Sequence, residues 1–173
     1  MLKLFNDLRP FFEDSYRRIN VREYSRIRKI SPPSASTLLN SLNKEGLLNR
    51  EEERNFIYFT ANKENSLFIA LSRAYWCIRF EKIGLISHIK QRTVNPLIIL
   101  FGSFSKAEIK SDSDIDMAIF TPSKKPLNYT HVVIWEDMLK HKMQLFAFKN
   151  REEIKNKELL NNILNGFTVS GSW

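Results

Sequence analysis

Residues 97–120 read LIILFGSFSKAEIKSDSDIDMAIF, two apolar runs that enclose a polar loop. The first run, Leu97 to Phe101, is rich in residues that favour strands and is ended by Gly102, which predicts a buried strand with a tight exit. A glycine at that point lets a ligand approach the backbone closely. A helix beginning at Ser103 or Phe104 would direct unpaired N–H groups towards the turn. The sequence therefore predicts a phosphate-binding turn.

The second apolar run carries two acidic residues at alternate positions. In a strand, the period of two places Asp114 and Asp116 on one face, whereas Ile115 and Met117 point to the other face. Two carboxylates that share one cleft repel each other, and a hard divalent cation held by oxygen ligands relieves that repulsion. Mg²⁺ together with a nucleoside triphosphate fits both halves of the predicted site.

The order Gly102-Ser103, ten residues and then Asp-x-Asp resembles the signature of the DNA polymerase β-like nucleotidyltransferase superfamily, especially its minimal nucleotidyltransferases. The resemblance covers about the last half of the chain. It implies that Gly102 and Ser103 bind the triphosphate, with ATP as the expected nucleotide. It also implies that Asp114 and Asp116 bind Mg²⁺ and form the catalytic centre. An acidic, serine-rich turn between two strands is the simpler alternative, because Asp and Ser favour turns in any case.

Two positions depart from the family pattern. Ala107 stands where the family often has a glycine, and the strand predicted over Met143–Phe148 offers Gln144 where active members have a third carboxylate. An amide binds Mg²⁺ far less well than a carboxylate and cannot accept the proton of an attacking hydroxyl. Glu136 and Asp137 are acidic and close in sequence, but they lie in a predicted helix. Nucleotide binding is therefore predicted more strongly than turnover.

The charge of the chain is unevenly distributed. The net charge is +8, and residues 1–110 contain 19 Lys and Arg against 11 Asp and Glu, whereas residues 111–173 contain 8 of each. This asymmetry favours a polyanion as the partner of the N-terminal region, with nucleic acid ahead of a membrane surface. Charge that serves only solubility is the alternative.

Cysteine content and hydropathy indicate the compartment. Cys77 is the single cysteine, so the sequence contains no disulfide framework, and a reducing cytoplasm is the expected location. Residues 67–89 are the most apolar long stretch, but four charged residues interrupt them and exclude a membrane span.

Residues 1–62 read as helix, basic helix, turn, helix and hairpin. The helices are predicted over 2–12, 21–30 and 34–45, with prolines before the third, and a polar turn over 51–55 separates the two strands. This pattern resembles a winged helix-turn-helix domain. The resemblance implies that one helix face contacts the major groove of duplex DNA. The residues of that face are Ser36, Thr37, Asn40 and Lys44.

Phosphate contacts are expected from the basic helix, through Arg22 and Arg26. A winged helix can also serve as a docking or dimerisation module, and the adjacent acids Glu51, Glu52 and Glu53 favour that alternative because phosphate would repel them.

The expected fold class is α+β. A winged helix-turn-helix domain is expected at 1–62 and a connecting helix at 63–92. A minimal nucleotidyltransferase domain, with a mixed sheet and flanking helices, is expected at 93–173. The connecting segment is apolar on most sides, which fits packing between domains or in a homodimer. Three functions remain open. They are an enzyme that transfers a nucleoside monophosphate to a protein or nucleic acid, a nucleotide-sensing DNA-binding transcriptional regulator, and, by resemblance, an antitoxin that acts beside a toxin partner.

Overall fold

The computed structural model describes residues 3–122 and 129–173. The chain divides into two compact units. The first comprises the residues up to Ser72 together with Ala107–Ser111, and the second comprises Arg73–Lys106 together with Asp112–Trp173. The division at Ser72 therefore falls inside the segment 63–92 that was expected to connect two domains.

The first unit combines helices with a three-stranded antiparallel sheet in the order β1-β3-β2. Its elements are α1 (Lys3–Glu13), β1 (Ile19–Asn20), α2 (Val21–Arg28), α3 (Pro32–Lys44), β2 (Leu48–Glu53) and β3 (Phe56–Ala61).

Local signals explain the helix boundaries of this unit. Ser31 is the N-cap of α3, since its side chain accepts a hydrogen bond from the Ser34 N–H at 3.3 Å, and Pro32 occupies the first turn. Lys29 ends α2 in the left-handed region with φ 54°. A proline in a helix interior usually breaks or bends the helix, but Pro10 lies within α1, which continues to Glu13. The predicted helices are thus present with small shifts of their ends.

The hairpin is tighter than the sequence predicted. Its turn consists of Arg54 and Asn55 alone, both with positive φ (47° and 67°), which is the geometry of a two-residue type I′ turn. The predicted turn over 51–55 is therefore wrong in extent, because Glu51, Glu52 and Glu53 belong to β2 and pair with β3.

The second unit contains a four-stranded mixed sheet in the order β6-β5-β4-β7. Strand β5 pairs parallel with β6, whereas the pairs β4·β5 and β4·β7 are antiparallel. Helix α4 begins in the first unit and ends in the second. The remaining elements in order are α4 (Ser66–Lys82), α5 (Leu85–Arg92), β4 (Leu97–Phe101), α6 (Gly102–Lys106), β5 (Ile115–Phe120), α7 (Tyr129–Leu139), β6 (Met143–Phe148), α8 (Lys157–Leu164) and β7 (Phe167–Ser170).

Apolar packing buries both faces of this sheet. On one face, the cluster comprises Leu97, Ile99, Phe101, Ala118, Phe120, Ile154 and Ile163. On the other face, Ile98, Leu100, Met117 and Ile119 are completely buried. The core therefore holds β4 and β5 rigidly, and these are the strands that bound the predicted phosphate turn.

The apolar spacing of residues 151–165 predicts one continuous C-terminal helix, but the structure interrupts this segment. Arg151–Glu153 forms a short 3-10 helix, and α8 begins only at Lys157. The side chain of Asn156 accepts hydrogen bonds from the N–H groups of Glu158 and Leu159, so Asn156 acts as an N-cap that starts a new helix. In the described ranges 3–122 and 129–173, no helix has the length and apolar character that crossing a membrane requires.

Candidate functional site

Strand β4 leaves the sheet through a turn at Gly102. This residue has φ 68°, a left-handed conformation that side chains disfavour. Asp116 lies opposite Phe101 in the β4·β5 pair, and a β-carbon at Gly102 would overlap its Oδ2. Glycine is thus required both for the backbone angle and for the space that the Asp116 carboxylate occupies. The side chain of Ser103, the next residue, is partly exposed.

Two aspartates and one amide converge beside this turn. Asp114 immediately precedes β5, Asp116 lies on it, and the register pairs Asp116 with Gln144 on β6. The Gln144 amide donates a hydrogen bond from Nε2 to Oδ2 of Asp114 at 2.8 Å. The predicted strand Met143–Phe148 therefore lies beside the aspartate strand, and it presents Gln144 to the carboxylate pair.

The surroundings of Asp116 perturb the pKa of its carboxyl group. Burial, and to a smaller extent the neighbouring charge of Asp114, raise the pKa of Asp116 to about 6. Above that pH Asp116 carries a negative charge beside the Asp114 side chain, which favours a cation between them.

The donor set fits one divalent cation rather than two. Among the residues that the structure describes, no group of three or more His, Cys, Asp and Glu side chains could hold a metal ion. Asp114 and Asp116 can supply carboxylate oxygens to an ion that also binds phosphate and water, whereas Gln144 adds no charge for a second ion.

A histidine fixes the residue before the first aspartate. His141 Nδ1 lies 2.8 Å from the carbonyl oxygen of Ser113, and because a carbonyl can only accept, Nδ1 must carry the hydrogen. The His141 ring is buried and packs edge-on against Trp76 and Phe104. These contacts of His141 orient the loop that leads into Asp114.

An arginine braces the short helix after the turn. Arg73 donates from Nε to the carbonyl of Ser105 at 2.6 Å, and the Ser105 hydroxyl donates to the carbonyl of Gly102 at 2.9 Å. The Arg73 guanidinium also lies over the ring of Phe167 on β7, 5.4 Å from its centroid. Sequence reasoning missed Arg73, because a contact 32 residues away in the chain leaves no local pattern.

The other nearby acids have structural partners. Glu136 accepts hydrogen bonds from the backbone N–H of Met143 at 2.9 Å and from Lys142 at 3.1 Å. The Met143 N–H is the main reason why the pKa of Glu136 is lowered. Asp137 pairs with Lys140 at 2.7 Å. Neither acid therefore replaces the missing third carboxylate.

Ala107 adopts the conformation for which a glycine would be suited. It is buried with φ 58°, which costs an L-residue roughly 1–2 kcal/mol. The alanine thus occupies a left-handed turn despite the cost of its side chain.

The residues expected to contact DNA lie on two helices of the first unit. Arg22 and Arg26 are exposed on α2, one turn apart. On α3, the Thr37 hydroxyl donates to the Pro33 carbonyl at 3.1 Å, and Asn40 Nδ2 donates to the Ser36 carbonyl at 2.9 Å.

Two of the polar side chains on α3 are therefore bonded within their own helix. Thr37 and Asn40 are exposed, but each donates a hydrogen bond to a carbonyl of α3. Ser36 is partly buried, and Lys44 is exposed near the end of the helix.

Comparison with known proteins identifies the second half of the chain. No curated protein is similar enough to the chain to match it. Residues 84–169 match the model of the family described as Polymerase beta, Nucleotidyltransferase. The matched span contains the Gly102 turn, both aspartates and Gln144, and it ends within β7. Residues 84–169 are therefore similar to the nucleotidyltransferase domains of the polymerase β-like superfamily.

Proposed function

We propose that the nucleotidyltransferase domain binds a nucleoside triphosphate with Mg²⁺, and ATP is the expected nucleotide. The observation that carries this proposal is the convergence of Asp114 and Asp116 beside the Gly102 turn. The backbone N–H groups at Gly102 and Ser103 would contact the phosphates in this proposal. Bound Mg²⁺ would neutralise charge on both the phosphates and the carboxylates.

The neutral side chain of Gln144 limits catalysis in this proposal. Transfer through two metal ions needs carboxylates that hold both ions, and the hydrogen bond from Gln144 occupies one oxygen of Asp114. The attacking hydroxyl of a protein or nucleic-acid acceptor would therefore be poorly activated. We infer a protein that binds the nucleotide and transfers a nucleoside monophosphate slowly or not at all.

Calorimetric titration with ATP tests this function directly. Heat of binding is expected with Mg²⁺ present and should disappear when EDTA removes the ion. Parallel titrations with GTP, CTP and UTP would define the base preference. Equal binding in Mg²⁺ and in EDTA would contradict the proposed role of the carboxylate pair.

A second candidate function is a DNA-binding regulator that senses the nucleotide. The order α1-β1-α2-α3-β2-β3 and the sheet order β1-β3-β2 support a winged helix-turn-helix domain in the first unit. The acids of β2 also have partners. Arg18 contacts Glu53 at 2.7 Å and Glu51 at 3.3 Å, and Arg50 contacts Glu52 at 3.4 Å.

These ion pairs weaken the objection that phosphate would be repelled from the hairpin. Duplex DNA would then contact the exposed face of α3 and the arginines of α2, and an electrophoretic mobility shift with genomic fragments tests this. The affinity should fall steeply with salt, with a log–log slope of about −0.9 for each phosphate contact. This candidate has two alternative forms. The protein could act as an antitoxin beside a toxin partner, which co-purification would test. It could also form a homodimer through the connecting segment, which light scattering would test.

A further inference from the structure

A groove of about 620 Å³ lies within the first unit, between the N-terminal half of α2 and the start of β3. We name it the α2–hairpin groove. Its volume lies within the range of pockets that bind small ligands, about 300–1,000 Å³. Its lining includes Arg22, Arg26, Asn55, Phe56 and Ile57.

The arginines that lack an acidic partner gather at this groove. Five other arginines of the first unit form ion pairs: Arg9 with Glu13, Arg17 with Glu23, Arg18 with Glu51 and Glu53, Arg28 with Asp7, and Arg50 with Glu52. Within the described part of this unit, Arg22, Arg26 and Arg54 have no such partner. Arg22 and Arg26 line the groove, and Arg54 immediately precedes its residue Asn55.

The acid in the groove does not cancel this charge. Glu23 also lines the groove, but its carboxylate accepts a hydrogen bond from Arg17 at 2.6 Å. Arg22 and Arg26 therefore present uncompensated positive charge to the groove, which favours an anionic ligand.

An exposed aromatic ring lies beside these arginines. The two-residue turn at Arg54 and Asn55 places Phe56 at the first position of β3, where 62% of its surface is exposed. Ile57 beside it is partly buried. A ring next to arginine side chains is the combination that binds single-stranded nucleic acids, since bases stack on the ring and phosphates contact the cations.

We propose that the α2–hairpin groove binds a single-stranded segment of nucleic acid, with phosphates on Arg22 and Arg26 and one base stacked on Phe56. The proposal rests on the nucleic-acid role proposed for the first unit, but it locates that role in the groove rather than on α3. A base inside a duplex has both faces covered by its neighbours and offers none to Phe56. The polar groups of Thr37 and Asn40 on α3 are already bonded within that helix.

Fluorescence anisotropy of the full chain tests the proposal. The probes are a fluorescein-labelled DNA strand of about 12 nucleotides, within the usual site size, and the blunt duplex of the same sequence. An acidic peptide of equal charge serves as the third probe. The single strand should bind at least about tenfold more tightly than the duplex, because stacking on an aromatic ring changes affinity by roughly this factor for each base.

Variants separate charge from stacking. Arg22→Gln with Arg26→Gln should weaken binding of the single strand and make its log–log salt slope shallower by about 1.4, or 0.7 for each lost contact. Phe56→Ala should weaken binding about tenfold and leave the slope unchanged, whereas Phe56→Tyr should retain the affinity. Arg9→Gln is the matched control, because Arg9 is paired with Glu13 on α1. Thermal unfolding of each variant verifies the fold.

The outcomes distinguish this inference from the function proposed for the first unit. Tighter binding of the duplex, with no effect of Phe56→Ala, would overturn the groove assignment and leave duplex binding intact. Absence of binding to either nucleic acid at low salt would contradict both. Preferential binding of the acidic peptide would show that the groove is a protein-docking site and would overturn the proposal.

Discussion

Gln144 on β6 donates a hydrogen bond to Asp114 at the start of β5, with 2.8 Å between Nε2 and Oδ2. A neutral amide thus donates to a carboxylate. A carboxylate in place of Gln144 would instead repel Asp114. The amide stabilises the site in the absence of metal. Because it is neutral, it does not supply the negative charge that a second ion would need. Gln144 is therefore the residue at which the proposed balance between nucleotide binding and turnover can be tested.

Replacing Gln144 by glutamate should increase any transfer activity. The added carboxylate would bind a second Mg²⁺ and activate the attacking hydroxyl, at the cost of more repulsion in the apo protein. Transfer of label from α-phosphate-labelled ATP to protein or nucleic acid measures the effect. Gln144→Met is the matched control, since it removes the hydrogen bond without adding charge. Robust transfer by the unmodified protein that is lost in Gln144→Glu would contradict this account.

Alanine at Gly102 should damage both stability and binding. The cost of the positive φ at Gly102 adds to the cost of the overlap with Asp116. The free energy of unfolding in urea should therefore fall by on the order of 2–4 kcal/mol. Gly84→Ala provides the comparison, because Gly84 has a similar φ of 77° but no atom lies within 4 Å of the added carbon. That variant should lose only about 1 kcal/mol from backbone strain. Equal losses in the two variants would argue against the close approach of Asp116.

Asparagine at Asp116 should stabilise the metal-free protein at neutral pH. The pKa of Asp116 is raised from 3.8 to about 6 in the folded state, so the folded protein holds this proton more tightly than the unfolded chain. The stability that the proton provides is complete below pH 4 and is lost as the pH rises through 6. Asp116→Asn should therefore gain roughly 1–2 kcal/mol over wild type at pH 7, allowing for partial solvent screening.

Denaturant unfolding in EDTA between pH 4.5 and 8 checks this pH dependence. The difference between Asp116→Asn and wild type should grow with pH and level off above 7. Asp112→Asn is the control, because it makes the same substitution at a nearby exposed residue. Its difference from wild type should not change with pH. A constant difference across this pH range would indicate that ionisation of Asp116 is not the cause.

The local part of the site was predictable from sequence. A strand of alternating period, a glycine exit and two aspartates on one face are short-range signals, and β4, the Gly102 turn and β5 follow them. Placing Gln144 beside Asp114 needed only the further assumption that β6 is the neighbour of β5. The period of two then determined which side chain would face the site.

Contacts from a side chain to the backbone of a distant segment could not be predicted. His141 contacts Ser113 and Arg73 contacts Ser105 across 28 and 32 residues of chain, and no sequence spacing encodes such pairs. The errors at the hairpin and at the C-terminal helix have another cause. Apolar spacing predicts helices well but ignores caps such as Asn156, which compete with helix continuation.

Calorimetric titration of ATP with Mg²⁺ into the variant carrying both Asp114→Asn and Asp116→Asn tests the central claim most directly. The proposal assigns to the two aspartates the metal that travels with the triphosphate, so the affinity should fall at least about tenfold, or 1.4 kcal/mol. Asp112→Asn is the control for the loss of a nearby charge and should bind as wild type does. Unchanged affinity in the double variant would contradict the assignment of the site.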